Sequence, residues 1–344
     1  MSDESSEINI TPPARVVVIG TSSGGNEALE ALVASLPAEF SGGVVIVRHL
    51  APEASAAYLV RRLKKYTSLT CVEAKDGEPL QAGYIYLAPA DRHTLVDENK
   101  LWVIRGAREN RWRPAVDPLF RSAAVAHRNK AIGVILSGYL DDGTAGLLAI
   151  KRCGGICIVQ DPDDATYPDM PRNALASVSA DYKLPVNQIG KLLGELMVAE
   201  VSEAAPDIPK DIFTEERIAK RSIMETEVVE QLGERSVLTC PDCGGVLWEV
   251  DEGGCTRLRC HTGHSYTLSS LLSGQSAELE ETIWRAMRMF EERRNLLKKM
   301  ASTMGKVVSQ SMVERAKQDQ VHIERLRSLL DDVANPLEAV GELG

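Results

Sequence analysis

Aromatic residues are scarce, at 5% of the chain, so any core must be built mainly from Val, Ile, Leu and Ala. Basic residues are also in deficit. Lys and Arg number 39 against 49 Asp and Glu, a net charge of −10. That balance excludes a protein that coats nucleic acid non-specifically, because neutralising phosphates takes a surplus of cations. No run approaches the ~20 apolar residues of a membrane-spanning helix. The first 13 residues are polar and acidic and lack the basic and apolar regions of a secretory signal. There is no internal repeat and no low-complexity tract. The expected location is the cytoplasm, without a membrane span. What is present is ordinary globular composition, 44% hydrophobic and 26% charged over 344 residues, enough for about two domains.

Apolar runs at Val16–Ile19, Val44–Val47, Tyr84–Leu87, Ile132–Leu136 and Ile156–Val159 read as strands buried on both faces. Helical spacing falls between them. Ala28, Leu29, Leu32, Val33 and Leu36 recur on one face before Pro37, and Ala57–Lys64, Asp117–Ala126 and Gly143–Cys153 follow. Leu95–Ile104 reads as a hairpin around Glu98-Asn99. The alternation predicts an α/β fold, a doubly wound, mostly parallel Rossmann-like sheet. Past residue 200 the chain turns acidic, with Pro206 and Pro209, and reads as a linker followed by an exposed helix around Glu215–Leu232. A cysteine cluster comes next. Leu279, Ile283, Met287, Phe290, Leu297 and Met300 then mark one face of a long helix. Ile323, Leu326, Leu330 and Val333 mark a second, with the break near Gly305. The expected organisation is a tail (1–13), an α/β domain (14–197), an acidic linker and helix (198–236), a small metal ribbon (237–272), a helical hairpin or coiled coil (273–335) and a tail (336–344).

Ligands of doubly wound sheets sit at the carboxyl ends of the strands. Gly20-Thr21-Ser22-Ser23-Gly24-Gly25 follows the first strand, Arg48-His49-Leu50 the second, and Ser137-Gly138-Tyr139-Leu140-Asp141-Asp142-Gly143 the Ile132–Leu136 strand. The glycine-rich turn fits neither G-x-G-x-x-G nor a P-loop, which argues against a nucleotide-binding module. Taken singly, Ser22 or Ser23 is better read as a helix cap, His49 as a structural residue and Asp141 or Asp142 as a cap. Together they supply a nucleophile, a base and an orienting acid for acyl transfer.

The residues carry a resemblance. Ile19 to about Leu196 resembles the catalytic domain of the chemotaxis methylesterase family, CheB. The matching segments are 19–25 (IGTSSGG), 48–50 (RHL), 74–78 (AKDGE), 86–89 (YLAP), 111–117 (RWRPAVD), 136–143 and 170–172 (MPR), in order over the whole domain. The resemblance implies Ser22 as nucleophile, His49 as base and Asp142 as orienting acid. It implies hydrolysis of glutamate methyl esters on chemoreceptor helices, with deamidation of certain glutamines by the same route and no cofactor for catalysis. It also directs attention to Ser23 beside the base and to Arg111, Arg113 and Arg172 along the cleft. Two departures stand out. Gly138-Tyr139-Leu140 replaces the family's Gly-Met-Gly, which leaves a backbone oxyanion donor after Gly138 in place but reshapes the rim. The first strand begins near Arg15, so a receiver domain ahead of the esterase is not expected in this chain.

Of seven cysteines, Cys240, Cys243, Cys255 and Cys260 crowd together. Cys240-Pro-Asp-Cys243 followed by Cys260-His261-Thr-Gly-His264 has the spacing of a zinc knuckle pair, brought together by a short hairpin. The expected ligands are Cys240, Cys243, Cys260 and His264, with His261 and then Cys255 as rivals. Four protein ligands make a closed, structural site. Cys71, Cys153 and Cys157 read as buried thiols. Arg257 and Arg259 lie in the ribbon and further arginines in the next helix, but the flanking helices are equally acidic, which argues for a docking or oligomerising module over a nucleic-acid surface. The competing reading of the whole chain is a catalytically weak adaptor acting through that module.

Overall fold

The computed structural model describes residues 11–202, 204–220, 233–251, 253–303 and 306–334. The tails expected over 1–13 and 336–344 lie largely or wholly outside the described residues, as do positions 221–232 of the helix expected around Glu215–Leu232, Gly305, and the Val333 side chain. The chain divides into two compact units, Met1–Leu271 and Leu272–Gly344.

The first unit is laid out along β1 (Val16–Thr21), α1 (Gly25–Ala34), β2 (Gly43–Arg48), α2 (Ala57–Leu63), β3 (Thr70–Glu73), β4 (Tyr84–Leu87), β5 (His93–Val96), β6 (Leu101–Ile104), α3 (Val116–His127), β7 (Ala131–Ile135), α4 (Thr144–Arg152), β8 (Ile156–Gln160), α5 (Asp169–Ser177), β9 (Tyr182–Leu184) and α6 (Val186–Val198). Seven of these strands form one sheet in the order β3-β4-β2-β1-β7-β8-β9. Every pairing in it is parallel. The sheet thus starts at its centre, winds outward through β2, and returns to add β7 on the other side of β1. That reversal is a topological switch point, and the crevice it opens lies at the carboxyl end of β1.

Burial on both faces explains the unbroken apolar runs. Along β1 and β2, Val16, Val18, Val45 and Val47 point to one side, with Leu119 and Phe120 of α3 and Leu147 and Ile150 of α4. Val17, Ile19, Val44 and Ile46 point to the other, with Leu29, Leu32 and Val33 of α1, Leu59 and Leu63 of α2, and Leu193 of α6. Each such side chain contributes ~1.5–3 kcal/mol of burial. The β5–β6 hairpin forms as the pattern predicts, antiparallel with Leu95 opposite Trp102. Short β3 and β9 and helices α5 and α6 carried too weak a pattern to be assigned from sequence.

The acidic segment differs from its expectation. Residues 199–202 and 204–206 lie along the α/β domain, where Arg15, Arg128 and Asn129 donate to the carbonyls of Ala199, Ala205 and Ser202. The helix that follows, α7 (Lys210–Ala219), meets the expected one only over 215–219 and is half-buried. It buries Ile212, Glu215 and Glu216. Its carboxylates can be buried because cations meet them, Arg259 at Glu215 and Lys220 at Glu216.

The cysteine region forms a four-stranded antiparallel sheet where a short hairpin was expected. It consists of β10 (Glu234–Thr239), β11 (Val246–Asp251), β12 (Thr256–Cys260) and β13 (Ser265–Thr267), in chain order. Its small core is Leu247, Leu258, Tyr266 and Leu271 with Cys240 and Cys260. Helix α8 (Leu268–Ala301) follows, then α9 (Lys306–Ala334). Within the second unit these two helices share Ile283, Met287, Ile323 and Leu330.

Candidate active site and metal cluster

Registry in the central sheet sets the positions of the candidate residues. Thr21 pairs with Arg48, and Gly20 pairs with Ile135. Ser22 and His49 are therefore each the first residue past adjacent strand ends. Ser22 N–H donates to the Ser137 carbonyl at 3.0 Å and His49 N–H to the Thr21 carbonyl at 3.2 Å, tying the three strand ends together. The turn then reverses into α1 through Gly24, which has φ 73°. A Cβ on Gly24 would stand 2.7 Å from Ser137 Oγ, so both the backbone conformation and the space require glycine.

His49 bridges the other two groups. Its Nδ1 lies 3.0 Å from Ser22 Oγ, and its Nε2 lies 2.6 Å from Asp142 Oδ2. With Nε2–H donated to the carboxylate, Nδ1 carries the lone pair that faces the serine hydroxyl. The Trp112 ring stacks on the imidazole at 4.4 Å and 7°. Ser22 remains half-exposed, whereas His49 and Asp142 are buried.

Asp142 follows β7 in a turn that needs positive φ at Leu140 and Gly143. It accepts four hydrogen bonds: from His49, from Val116 N–H at 2.7 Å, from Asp117 N–H at 3.2 Å and from Asn110 Nδ2 at 2.8 Å. Burial works against its charge, but the bond and charge of His49 and the donors of Val116 and Asn110 outweigh burial. Its carboxyl is held below the ordinary aspartate range. Asp117 stands on the far side of Asn110, whose Nδ2 also reaches Asp117 Oδ2 at 2.7 Å. Burial pushes the Asp117 carboxyl up; Arg257 opposes this, and the charge of Asp142 adds to it. Burial likewise pushes Asp141 up to about 6, against a bond from Thr267.

The cysteine-bearing sheet reaches into this group. Asn110 N–H donates to the Ser265 carbonyl at 2.7 Å, and Asn110 Oδ1 accepts from Thr267 N–H at 3.2 Å. Thr267 Oγ1 donates to Asp141 at 2.8 Å. Arg257 of β12 pairs with Asp117 at 2.8 Å and with Glu109 at 3.1 Å, all three buried. Glu109 also takes Arg121 at 2.7 Å and Arg259 at 3.3 Å, and Arg259 pairs with Glu215. Burial opposes the Glu109 charge, but the three guanidinium groups hold its carboxyl far below the usual range.

Cys240, Cys243, Cys260 and His264 come together with all ligand atoms within 4.8 Å of one another. Cys243 Sγ lies 3.7 Å from Cys260 Sγ, and His264 Nδ1 lies 3.6 Å from the sulfurs of both Cys240 and Cys260. Tetrahedral zinc with bonds of about 2.3 Å to sulfur and 2.0–2.1 Å to nitrogen spaces its ligands by about 3.6–3.8 Å, so the donor set fits that ion. His261 is exposed beside Gly245, and Cys255 lies in the β11–β12 turn, at the other end of β12 from Cys260.

Of the other residues singled out, Arg113 is committed to Asp91 and to the Gly106 carbonyl, and Arg111 and Arg172 are exposed. Asn110, Trp112, Asp117 and Arg257 were not assigned roles from the sequence. The 111–117 segment was visible as a motif, but nothing in it indicates an imidazole to stack on or a carboxylate to bridge.

Fold and site together define a class: a parallel α/β protein that lines up a serine, an imidazole and a carboxylate at its topological switch point, the groups required for nucleophilic acyl transfer. The profile described as CheB methylesterase matches residues 17–193. The chain belongs to the CheB methylesterase family. It is similar to a protein-glutamate methylesterase/protein-glutamine glutaminase of Thermotoga maritima, 36% identical over 199 residues covering 56% of this chain and 58% of that one. A provisionally named protein of the same description from Leptospira interrogans is 37% identical over 177 residues, covering 51% of this chain and 91% of that one. The crystal structure of the Thermotoga maritima CheB methylesterase catalytic domain matches with a TM-score of 0.51 at 35% identity, covering 53% of this chain and 98% of that one. The chain thus spans nearly all of the catalytic domain and little more than half of the longer relative. The family match ends ahead of the cysteine cluster.

Proposed function

We propose that the chain is a protein-glutamate methylesterase acting on methylated side chains of chemoreceptor-type proteins. The observation that carries this reading is the series Ser22 Oγ, His49 and Asp142, linked at 3.0 and 2.6 Å. Ser22 Oγ attacks the ester carbonyl while its proton passes to His49 Nδ1. His49 returns that proton to the departing methoxide, which leaves as methanol, and the glutamyl group stays esterified to Ser22. A water then attacks, giving its proton to His49, and the glutamate carboxylate leaves as Ser22 Oγ regains the proton. Asp142 keeps Nε2–H in place and steadies the imidazolium. Deamidation of a glutamine follows the same route with ammonia as the leaving group.

Gly138 supports an oxyanion donor at the next residue. It lies so near the nucleophile that a Cβ there would stand 2.8 Å from Ser22 Cβ, and this proximity supports the Tyr139 N–H as the oxyanion donor. Tyr139, exposed and packed on Tyr167 at 4.6 Å, forms the rim there. Ser22→Ala is expected to lower methanol release from a methylated receptor fragment by at least about 10³-fold. Equal release by the variant would refute the reading. The adaptor reading draws on the cysteine-bearing ribbon and the two long helices, and it requires Ser22→Ala to leave signalling intact while Cys240→Ser abolishes it.

Zinc is proposed as a structural ion held by Cys240, Cys243, Cys260 and His264. The supporting observations are their mutual spacing and the small core around them, too few residues to hold four strands without a metal.

A further inference from the structure

Resting on the esterase reading, we propose that Arg257, carried by the cysteine-bearing sheet, is a positioning residue for the active site. It neutralises Asp117, so that Asp142 remains free to orient His49. The sheet is then part of the active centre and not an appended docking module.

The argument begins with charge. Asp117 and Asp142 are bridged by one amide nitrogen, Asn110 Nδ2, at 2.7 and 2.8 Å, and both are buried. Two carboxylates so placed do not both ionise without a cation, and a proton shared between them would compete with His49 for Asp142. Every partner found for Asp117 is a donor: Asn110, Gly146 N–H at 2.7 Å and Arg257 at 2.8 Å. The pattern therefore suits the anion. Charged groups face Asp117 from each neighbouring element. Arg257 comes from β12, Arg121 from α3 itself, and Asp141 and Asp142 from the turn before α4. His49 stands behind Asp142, and Glu109 shares Arg257 and Arg121. Arg121 is bound to both oxygens of Glu109 and acts on Asp117 through its charge, whereas Arg257 makes a direct pair with Asp117 at 2.8 Å.

Geometry holds Arg257 in place. It is 1% exposed, and its NH2 also donates to Ser265 Oγ at 2.6 Å. Ser265 belongs to β13, whose backbone bonds Asn110. One short stretch of sheet thus fixes both the bridging amide and the compensating cation.

The test uses the full-length chain, a methyl-ester substrate and fluorophosphonate labelling of Ser22. Wild-type labelling that is lost in Ser22→Ala establishes the esterase reading; absence of such labelling defeats that reading irrespective of Arg257. Given labelling, Arg257→Met is expected to lower kcat near neutral pH by at least about tenfold with KM within about twofold, and to move the acid limb of the pH–rate profile up by about one unit. Arg257→Lys, which keeps the charge, is expected to recover most of the rate. The double variant Arg257→Met/Asp117→Asn removes both charges and is expected to recover most of the lost rate and the position of the acid limb. An Arg257→Met profile that overlays wild type overturns the proposal. So does a folded double variant, with full metal content, that is no better than Arg257→Met. If Arg257→Met does not fold, the double and Arg257→Lys variants decide by the same criteria, and loss of activity in both with the fold intact overturns it.

Discussion

Asp141 and Asp142 follow one another in the turn after β7, yet their carboxyls sit on opposite sides of the ordinary aspartate range. Asp142 faces an imidazole and three N–H donors; Asp141 faces burial, one hydroxyl and the negative charge of its neighbours. A carboxyl whose pKa in the folded chain, about 6, exceeds its ordinary 3.8 binds its proton more tightly when folded. Its contribution to stability is full below about pH 4 and is lost as pH rises through about 6. Melting temperatures of wild type measured across that window are therefore expected to fall relative to those of Asp141→Asn as pH rises. A constant difference between the two would show that Asp141 does not titrate there. Which of the two aspartates would orient a histidine was open on composition alone. The choice of Asp142 came from the family pattern, and its four donors come from segments up to 93 residues apart.

At the scale of elements, the turn between β1 and α1 places Ser22. Gly24 must take φ 73° with no room for a side chain. Gly24→Ala is expected to cost at least ~1–2 kcal/mol in urea denaturation, from the left-handed backbone alone. A variant with unchanged midpoint and slope would mean that the turn relaxes. The strands and their helices were legible because parallel strands buried on both faces leave continuous Val and Ile runs, and the helices beside them a repeat of three and four. Glu215 and Glu216, acidic and expected on an exposed helix, are buried instead; Lys220 meets Glu216 from one turn on, but the cation for Glu215 is Arg259, 44 residues on. No local window carries that information.

At the scale of the molecule, the first unit joins the parallel sheet, α7 and the cysteine-bearing sheet around one buried network of Glu109, Arg121, Arg257, Arg259, Asp117 and Glu215. Breaking such a network by removing one partner costs ~3–5 kcal/mol, since it strands a buried charge. Stripping the metal should act on the same network through β12. Treatment with a strong chelator is expected to release about one zinc per chain, to lose the antiparallel sheet by circular dichroism, and to slow labelling of Ser22. Chelation that removes no metal would refute the zinc assignment. Zinc loss with Ser22 labelling unchanged would separate the metal from the active site. Among the described residues no helix is long and apolar enough to cross a membrane.

The sequence by itself determined the parallel α/β sheet, the strand ends at which Ser22, His49 and Asp142 stand, and the spacing of three cysteines and a histidine. Each of these is local: an apolar period, a turn, or a pair of residues three or four apart. Only the tertiary structure decided that the acidic segment is packed, that Trp112 stacks on His49, and that Asn110 and Arg257 reach the carboxylates behind it. Those relations join residues as much as 140 positions apart. A buried charge leaves no periodic trace in the sequence, and its partner is fixed only when the two sheets come together.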